Sequence, residues 1–326
     1  MHLRCSVTRG GYRESEHVVL AVVVDGDGRV AFSAGDPQHP TFARSTLKPF
    51  QAAASLKAGA VDSAEFSDQE VALMCGSHNG EDIHTRTAKS MMDKLGFPIN
   101  LYECGIHEPY DPAVKRHLAE RGAKPSPLHV NCSGKHAGML CLAKHLKVPP
   151  EGYTNPGHPV QQLILDDVRS YSGVKDFPVA VDGCNAPTPL LSLFSIAVLY
   201  QKLGSLRFPE LDKIYEIMTK HPYLIAGRRR FDTEFIAAMK GRAIAKVGGE
   251  GVQGVCIRTK HNGTLGLAIK VLDGHQRALS AATMAVLNHL ELLDNAEQTA
   301  LESHRRIPLL NNSDIQIGDI TAEVHT

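Results

Sequence analysis

Strand-like sequence lies near both ends of the chain, and a long helical stretch separates the two parts. Near the start, apolar runs at residues 17–25 and 29–35 are joined by Gly-Asp-Gly, which predicts a β-hairpin. Strand patterns return later, at residues 243–247, 252–258 and 265–272. A turn is predicted at Asn262–Gly263, before the last of them. This order suits one antiparallel sheet to which both parts of the chain contribute.

The middle of the chain carries recognisable helix boundaries. Ser67 with Glu70 predicts a capping box, and Asp111 precedes a proline at a predicted helix start. Gly96 and Gly204 lie where left-handed residues are expected to end helices. The middle of the chain is therefore predicted to be mainly helical.

Together these patterns predict an α/β (α+β) fold, an antiparallel sheet with flanking helices and a helical insert. We expect one domain over residues 1–326. Its predicted parts are a sheet from about 6–40 and 242–295, a mainly helical insert at 41–241, a helix at 278–293 and a C-terminal extension at 303–326.

Composition narrows the classes of partner. The chain has 326 residues, 43% of them hydrophobic, and no apolar run long enough to span a membrane. Lys plus Arg and Asp plus Glu both number 35 and form no block of like charge, so no nucleic-acid partner is expected. The first thirteen residues do not resemble a signal peptide, and the seven cysteines are scattered. We expect a cytoplasmic protein with free thiols.

The first candidate for chemistry is Ser45, which lies three residues before Lys48 at a predicted helix start. This spacing puts both side chains on one helix face, where an amine can take a hydroxyl proton. The lysine must be neutral to do so, which requires burial or a cationic neighbour such as Arg44. The tetrapeptide alone is a weak signal, because S-x-x-K also occurs at ordinary solvated helix starts.

Two further motifs follow in an order that adds to this signal. Ser77 and Asn79 lie between glycines, and Lys246 closes a predicted strand that leads into Gly249 and Glu250. Serine β-lactamases and penicillin-binding proteins carry S-x-x-K, then S-x-N, then K-[ST]-G on a strand. Here valine follows Lys246 in place of the hydroxyl residue, which argues against penicillin recognition but not against amide hydrolysis.

A fourth group of residues lies in two short segments, 131–136 and 182–185. We expect each segment to end a strand and precede a helix, so that the side chains of the two segments face one crevice. Cys132, Cys184 and either Lys135 or His136 could hold a metal, although lysine is an uncommon ligand because it must be deprotonated. Ordinary buried thiols are the alternative interpretation.

Five motifs together resemble the L-asparaginases of the rhizobial type, also called class 3. They are A-R-S-T-L-K-P, C-G-S-H-N-G, N-C-S-G-K-H, D-G-C-N-A-P and K-V-G-G-E-G-V, within a resemblance that covers residues 6–293. The resemblance implies the β-lactamase and serine-glutaminase fold and a homodimer. It also implies hydrolysis of L-asparagine to L-aspartate and ammonia.

The resemblance also implies roles for single residues. Its two Ser-Lys pairs fall on Ser45 with Lys48 and on Ser77 with Lys246, with Lys270 as the alternative to Lys246. Its zinc ion, expected to orient the substrate, falls on Cys132, Lys135 and Cys184.

For the mechanism we expect Ser45 to attack the amide and backbone N–H groups of Ser45 and Gly249 to hold the oxyanion. The expected substrate-binding residues are Arg44, Lys135, His136, Asp182, Gly249 and Glu250. Two alternatives stay open, namely a serine-dependent glutaminase of the same fold and a non-catalytic zinc- or amino-acid-binding protein. Asparagine and glutamine differ by one methylene, which the sequence cannot resolve.

Overall fold

The computed structural model of the protein describes residues 1–260 and 263–325. Its strands are β1 (His2–Arg9), β2 (Tyr12–Val24), β3 (Val30–Ala34), β4 (Pro40–Phe42), β5 (Val179–Val181), β6 (Pro187–Ser192), β7 (Ala243–Gly248), β8 (Val252–Arg258), β9 (Thr264–Val271), β10 (Ile307–Leu310) and β11 (Gln316–His325). Its α-helices are α1 (Lys48–Lys57), α2 (Ala60–Ser63), α3 (Asp68–Met74), α4 (Asp82–Leu95), α5 (Pro112–Glu120), α6 (Ser133–Leu146), α7 (Pro159–Ser172), α8 (Leu193–Leu203), α9 (Pro209–Lys220), α10 (Pro222–Ile225), α11 (Phe231–Ala238), α12 (Leu279–His289), α13 (Asn295–Ala300) and α14 (Glu302–Arg305).

A large antiparallel sheet forms the first of two compact units, which we call the sheet unit (residues 1–46, 191–205 and 234–326). Its strand order is β10-β11-β1-β2-β9-β8-β7, and β3 pairs with β2. The predicted antiparallel sheet with flanking helices is confirmed, as are the hairpin of β2 with β3 and the strands β7, β8 and β9. Asn262, half of the predicted turn before β9, lies outside the described residues.

The centre of this sheet is apolar along consecutive positions. Every residue of β8 except Arg258 is buried, which fits a strand covered on both faces. Helices α8 and α12 both pack on the sheet. A Cβ atom at Gly254 would lie 2.0 Å from the ring of Tyr200, and one at Gly266 would lie 2.0 Å from the carbonyl oxygen of Ala197. These two glycines therefore let α8 lie close to the strands.

The sheet extends beyond the segments predicted from the sequence. Strand β1 pairs with β2 across Gly10 and Gly11, both of which have positive φ. The segment at 303–326, expected as an extension, contains β10 and β11, and β11 pairs with β1. The segment 191–205, which was assigned to the insert, belongs to the sheet unit.

The second compact unit, the helical unit (residues 47–190 and 206–233), is built around α6. Every residue of α6 from Ser133 to Ala143 is buried, and α1, α2, α3, α4 and α7 pack on it. A Cβ atom at Gly134 would lie 2.3 Å from the carbonyl oxygen of Leu73, so α3 approaches α6 very closely. This approach places the loop that follows α3.

Most of the predicted helix boundaries are confirmed. Ser67 and Glu70 form the capping box of α3, and Asp111 accepts hydrogen bonds from the first turn of α5. Gly96 ends α4 with a φ of 66°. The prediction for Gly204 was wrong, because it ends α8 with a φ of −107°. No helix in the described part of the chain is long and apolar enough to cross a membrane.

Candidate active site

Ser45 lies in the sheet unit, in a 3₁₀ turn (Arg44–Leu47) that leads directly into α1. This turn packs against the end of β7. A Cβ atom at Gly248 would lie 3.1 Å from Thr46 Cγ2, and one at Gly249 would lie 2.9 Å from the Arg44 guanidinium. The structure therefore brings together Arg44 and Gly249, two residues predicted to bind substrate.

The two lysines proposed as partners of Ser77 also lie in the sheet unit. Lys246 on β7 is fully buried, and its Nζ donates a hydrogen bond of 2.8 Å to the carbonyl oxygen of Val247. Lys270 on β9 is partly exposed and donates to the carbonyl oxygen of Glu250. The pairing of Ser77 with either lysine stays a prediction.

Lys48 is the first residue of α1, in the helical unit, and its side chain is fully buried. Its Nζ atom lies 3.0 Å from Ser77 Oγ and 3.0 Å from the carbonyl oxygen of Asn131, and it also donates to the carbonyl oxygen of Gly76. The sequence assigned Lys48 and Ser77 to different pairs. In the structure they share a hydrogen bond.

Burial lowers the pKa of Lys48 from its ordinary value, and the charge of Lys135 lowers it further. The thiolate forms of Cys132 and Cys184 act in the opposite direction. The cationic neighbour expected from the sequence was Arg44, whereas Lys135 fills that role here. An amine with a lowered pKa is free of its proton at lower pH and can act as a general base.

Ser77 lies in a buried segment, the serine loop (residues 76–81), which follows α3. Its backbone N–H donates to the carbonyl oxygen of Ile225 at 2.8 Å, and that of Asn79 donates to Ala226 at 2.9 Å. A Cβ atom at Gly76 would lie 2.6 Å from the carbonyl oxygen of Leu224, so only glycine fits there. These contacts fix the position of Ser77.

Two buried histidines, which the sequence did not reveal as functional, support the serine loop. The rings of His78 and His84 are stacked with their centroids 4.8 Å apart. His78 Nδ1 accepts from the N–H of Gly80, and Nε2 lies 2.8 Å from Ser133 Oγ. Burial holds the pKa of His78 well below its ordinary value, so the ring is neutral and its proton is on Nε2.

Glu81 closes the serine loop and is buried. It accepts hydrogen bonds from the hydroxyl of Tyr223 at 2.6 Å, the N–H of Arg228 at 3.0 Å and the amide of Asn79 at 3.2 Å. Burial works against its charge, but these hydrogen bonds lower the pKa of Glu81. Gly227, with a φ of 107°, is needed because a Cβ atom there would lie 2.3 Å from Glu81 Oε1.

The predicted metal ligands lie together in the helical unit. Lys135 Nζ is 2.8 Å from Cys184 Sγ, and Cys184 Sγ is 3.8 Å from Asp182 Oδ2. Cys132 is hydrogen-bonded to Cys184 as well. We call these four residues the thiol cluster.

The local structure around the thiol cluster differs from the prediction. The segment 131–136 follows a 3₁₀ turn (Pro127–His129) and opens α6, so no strand precedes it. The segment 182–185 follows β5, as predicted, but leads into β6 where a helix was expected. The proline at position 187 can begin a strand because the first N–H of a strand need not be paired.

A thiolate and an ammonium face each other in the thiol cluster. The hydrogen bond from Cys132 lowers the pKa of Cys184 to about 5 and, with burial, raises that of Cys132 to about 12. Burial opposes the charge of Lys135, but the thiolate of Cys184 raises the pKa of Lys135 above its ordinary value. Cys184 and Lys135 therefore form a buried ion pair at neutral pH.

The thiol cluster can hold a zinc ion only if the ion displaces protons from its ligands. Within residues 1–260 and 263–325, no three His, Cys, Asp or Glu side chains are placed to hold a metal ion. The third predicted ligand is the amine of Lys135, which donates a hydrogen bond to Cys184 Sγ. Two thiolates and a neutral amine suit zinc, and binding would release the protons of Lys135 and Cys132.

His136 is buried beside the thiol cluster. Its Nδ1 accepts a hydrogen bond of 2.6 Å from the hydroxyl of Tyr153, which itself accepts from the N–H of Glu103 at 2.9 Å. Burial lowers the pKa of His136 to about 3. Its Nε2 atom has no hydrogen-bond partner among the described residues. The neutral ring therefore offers an N–H donor.

Comparison with known proteins gives one extensive match. The model of the L-asparaginase II family matches residues 5–322. No curated protein matches the chain.

Several solved structures are similar at low identity. A β-lactamase from Burkholderia ambifaria is 16% identical, with 85% of this chain and 96% of that chain covered and a TM-score of 0.43. A β-lactamase from Burkholderia vietnamiensis is 14% identical, with 85% and 94% covered and a TM-score of 0.44. Mglu in its native form is 12% identical, with 85% and 62% covered and a TM-score of 0.38.

Proposed function

Because the chain belongs to the L-asparaginase II family, we propose that it hydrolyses L-asparagine to L-aspartate and ammonia. The observation that carries this proposal is the family match, which extends over nearly the whole chain and supports an amidohydrolase of the asparaginase type. The contact between Lys48 and Ser77 adds a buried amine and hydroxyl of the kind that amide hydrolysis by serine requires.

The proposed reaction proceeds through a β-aspartyl ester. Lys48, three residues after Ser45 in the chain, takes the proton of the Ser45 hydroxyl. Ser45 Oγ then attacks the side-chain amide carbon of asparagine. Backbone N–H groups of Ser45 and Gly249 hold the oxyanion, and one such donor contributes about 3 kcal/mol. The leaving amine takes up the proton and departs as ammonia. Water then attacks the ester and releases aspartate and the serine hydroxyl.

Ser77 is proposed to pass protons between Lys48 and the leaving amine. Its Oγ lies at hydrogen-bond distance from Lys48 Nζ, and the serine loop holds it in place. Lys246, or alternatively Lys270, is the second lysine that we assign to Ser77. In this mechanism neither serine needs a histidine as base, which agrees with the hydrogen bond that the unprotonated Nδ1 of His78 accepts from the N–H of Gly80.

We also propose that Cys132, Lys135 and Cys184 hold zinc, with Asp182 beside them. When bound, zinc would act as a Lewis acid that orients a substrate oxygen or nitrogen. The N–H of His136, four residues after Cys132, is proposed to donate to the substrate, since this buried atom has no partner in the described part of the chain. In this proposal the covalent chemistry stays with the serine and lysine residues.

The test is ammonia release from L-asparagine and L-glutamine, measured side by side with the same preparation. We expect asparagine to be the better substrate. The Ser45→Ala variant should lose on the order of 10³-fold or more in kcat. Ser63→Ala, at an exposed serine in α2, is the matched control and should keep full activity.

The other outcomes each change the assignment. Equal or faster release from glutamine would make the protein a glutaminase. Substantial activity in a folded Ser45→Ala variant would move the nucleophile to Ser77. If neither amide is hydrolysed by the folded protein, the proposed function is wrong and a binding role replaces it.

A further inference from the structure

The side chain of Arg230 is attached to the serine loop. Its Nη1 atom donates a hydrogen bond of 2.8 Å to Asn79 Oδ1, two residues after Ser77. The backbones of Ser77 and Asn79 are themselves bonded to residues 225 and 226, which lie shortly before Arg230 in the chain. The guanidinium is therefore held near Ser77 by contacts within one compact unit.

Arg230 forms no salt bridge with a carboxylate of the described residues. Its neighbour Arg228 takes both nearby acids, with Nη2 lying 3.5 Å from Glu81 and 3.6 Å from Asp111. The one side-chain acceptor of Arg230 is the neutral amide of Asn79, and a guanidinium has five N–H donors. This partly exposed cation has donors left for an anion.

A second series of contacts connects Arg230 with the amine of Lys48. The guanidinium carbon lies 5.9 Å from the ring centroid of Tyr110, within the range of a cation–π contact. The hydroxyl of Tyr110 accepts from Asn131 Nδ2 at 3.3 Å, and the carbonyl oxygen of Asn131 accepts from Lys48 Nζ at 3.0 Å. Tyr110 and Asn131 thus link the guanidinium to Lys48.

We propose that Arg230 binds the α-carboxylate of the amino-acid substrate. A planar fork of N–H donors matches a carboxylate in a bidentate manner, and this carboxylate is the fixed anion of asparagine and of its product aspartate. The inference rests on the proposed function. It assigns to Arg230 the role for which the sequence suggested Arg44, whose guanidinium packs on Gly249.

The test compares ligands with and without an α-carboxylate. L-aspartate and L-isoasparagine, in which that carboxylate is an amide, are titrated by calorimetry into the wild type and four variants. Arg230→Gln should weaken the binding of L-aspartate by roughly 10- to 100-fold and leave that of L-isoasparagine nearly unchanged. Arg230→Lys should bind L-aspartate with an affinity between those of the wild type and Arg230→Gln, because lysine keeps the positive charge but lacks the planar fork of N–H donors.

Arg229→Gln is the matched control, since Arg229 is exposed and adjacent. It should bind both ligands like the wild type. The inference is overturned if Arg230→Gln behaves like Arg229→Gln, if it weakens both ligands equally, or if the wild type does not bind L-aspartate. If Arg44→Gln is the only variant that weakens the binding of L-aspartate, Arg44 and not Arg230 binds the α-carboxylate.

Parallel ammonia assays separate this inference from the proposed function. Binding of L-aspartate that depends on Arg230 in a protein that releases no ammonia would support the inference and reject the proposed function. Ammonia release that is as fast in Arg230→Gln as in Arg229→Gln, with the same KM, would support the proposed function and reject the inference.

Discussion

Lys48 Nζ and Ser77 Oγ lie 3.0 Å apart, and both side chains are buried in the helical unit. Lys48 opens α1, whereas Ser77 follows α3, so two helices that both pack on α6 bring the groups together. The amine also faces two backbone carbonyl oxygens. Any change in its protonation therefore alters the hydrogen bonding of the serine loop.

The first prediction concerns pH. Burial lowers the pKa of Lys48 below 10.5, its ordinary value, so a neutral amine appears as the pH rises through the lowered pKa. If this amine is the base, kcat/KM rises toward alkaline pH. Between the two pKa values the unfolded chain binds a proton that the folded chain lacks, so the free energy of unfolding also rises with pH there.

Lys48→Met should remove activity and flatten the pH dependence of unfolding, measured by denaturant titration at several pH values. Lys115→Met, at an exposed lysine on α5, is the control and should change neither. A wild-type rate that is flat between about pH 6 and pH 9 would exclude a lysine amine as the base.

The sheet was only partly predictable from the sequence. Strands β8 and β9 are rich in Val, Ile and Leu and are buried at nearly every position, which the strand pattern of the sequence detects. Strand β1 largely alternates buried and exposed positions and joins β2 through two glycines, which is a local signal of a hairpin. Strand β11 is largely exposed at its ends and pairs with β1, a partner too distant in sequence for a local pattern to show.

The candidate site was likewise only partly predictable from the sequence. Motif order singled out Lys48 and Ser77, whereas Cys132 and Cys184 came from two other short segments, and the structure brings the two cysteines together. The contact of Lys48 with Ser77 depends on the packing of α1 and α3 against α6. The stacking of His78 on His84 likewise depends on tertiary structure.

The second prediction concerns zinc. A chelator should raise KM more than it lowers kcat, because the metal is proposed to orient the substrate in the ground and transition states alike. Cys132→Ala should reproduce the chelated enzyme and should lose zinc in elemental analysis. Cys104→Ala, at another buried cysteine, is the control and should keep the metal. Complete loss of kcat that added zinc restores would indicate a metal-bound nucleophile.

The third prediction concerns the ion pair of Cys184 with Lys135. The hydrogen bond from Cys132 lowers the pKa of Cys184 from 9.0 to about 5. In metal-free protein the thiolate absorbance should therefore persist below neutral pH and disappear in Cys184→Ser. The stability that this thiolate contributes is present above pH 9 and is lost as the pH falls toward 5. A thiolate signal that disappears near pH 9 would contradict the ion pair.

The fourth prediction concerns the packing that positions the serine loop. A Cβ atom at Gly134 would lie 2.3 Å from the carbonyl oxygen of Leu73, and backbone cannot yield as a flexible side chain can. Gly134→Ala should therefore lower the free energy of unfolding by about 1–3 kcal/mol, measured by denaturant titration. It should also lower kcat, because α3 must move and Ser77 follows it. Gly157→Ala, at an exposed glycine whose added Cβ would meet only Asn155 at 3.5 Å, is the control and should change neither quantity. Unchanged stability in Gly134→Ala would mean that α3 and α6 are less closely packed than the structure has them.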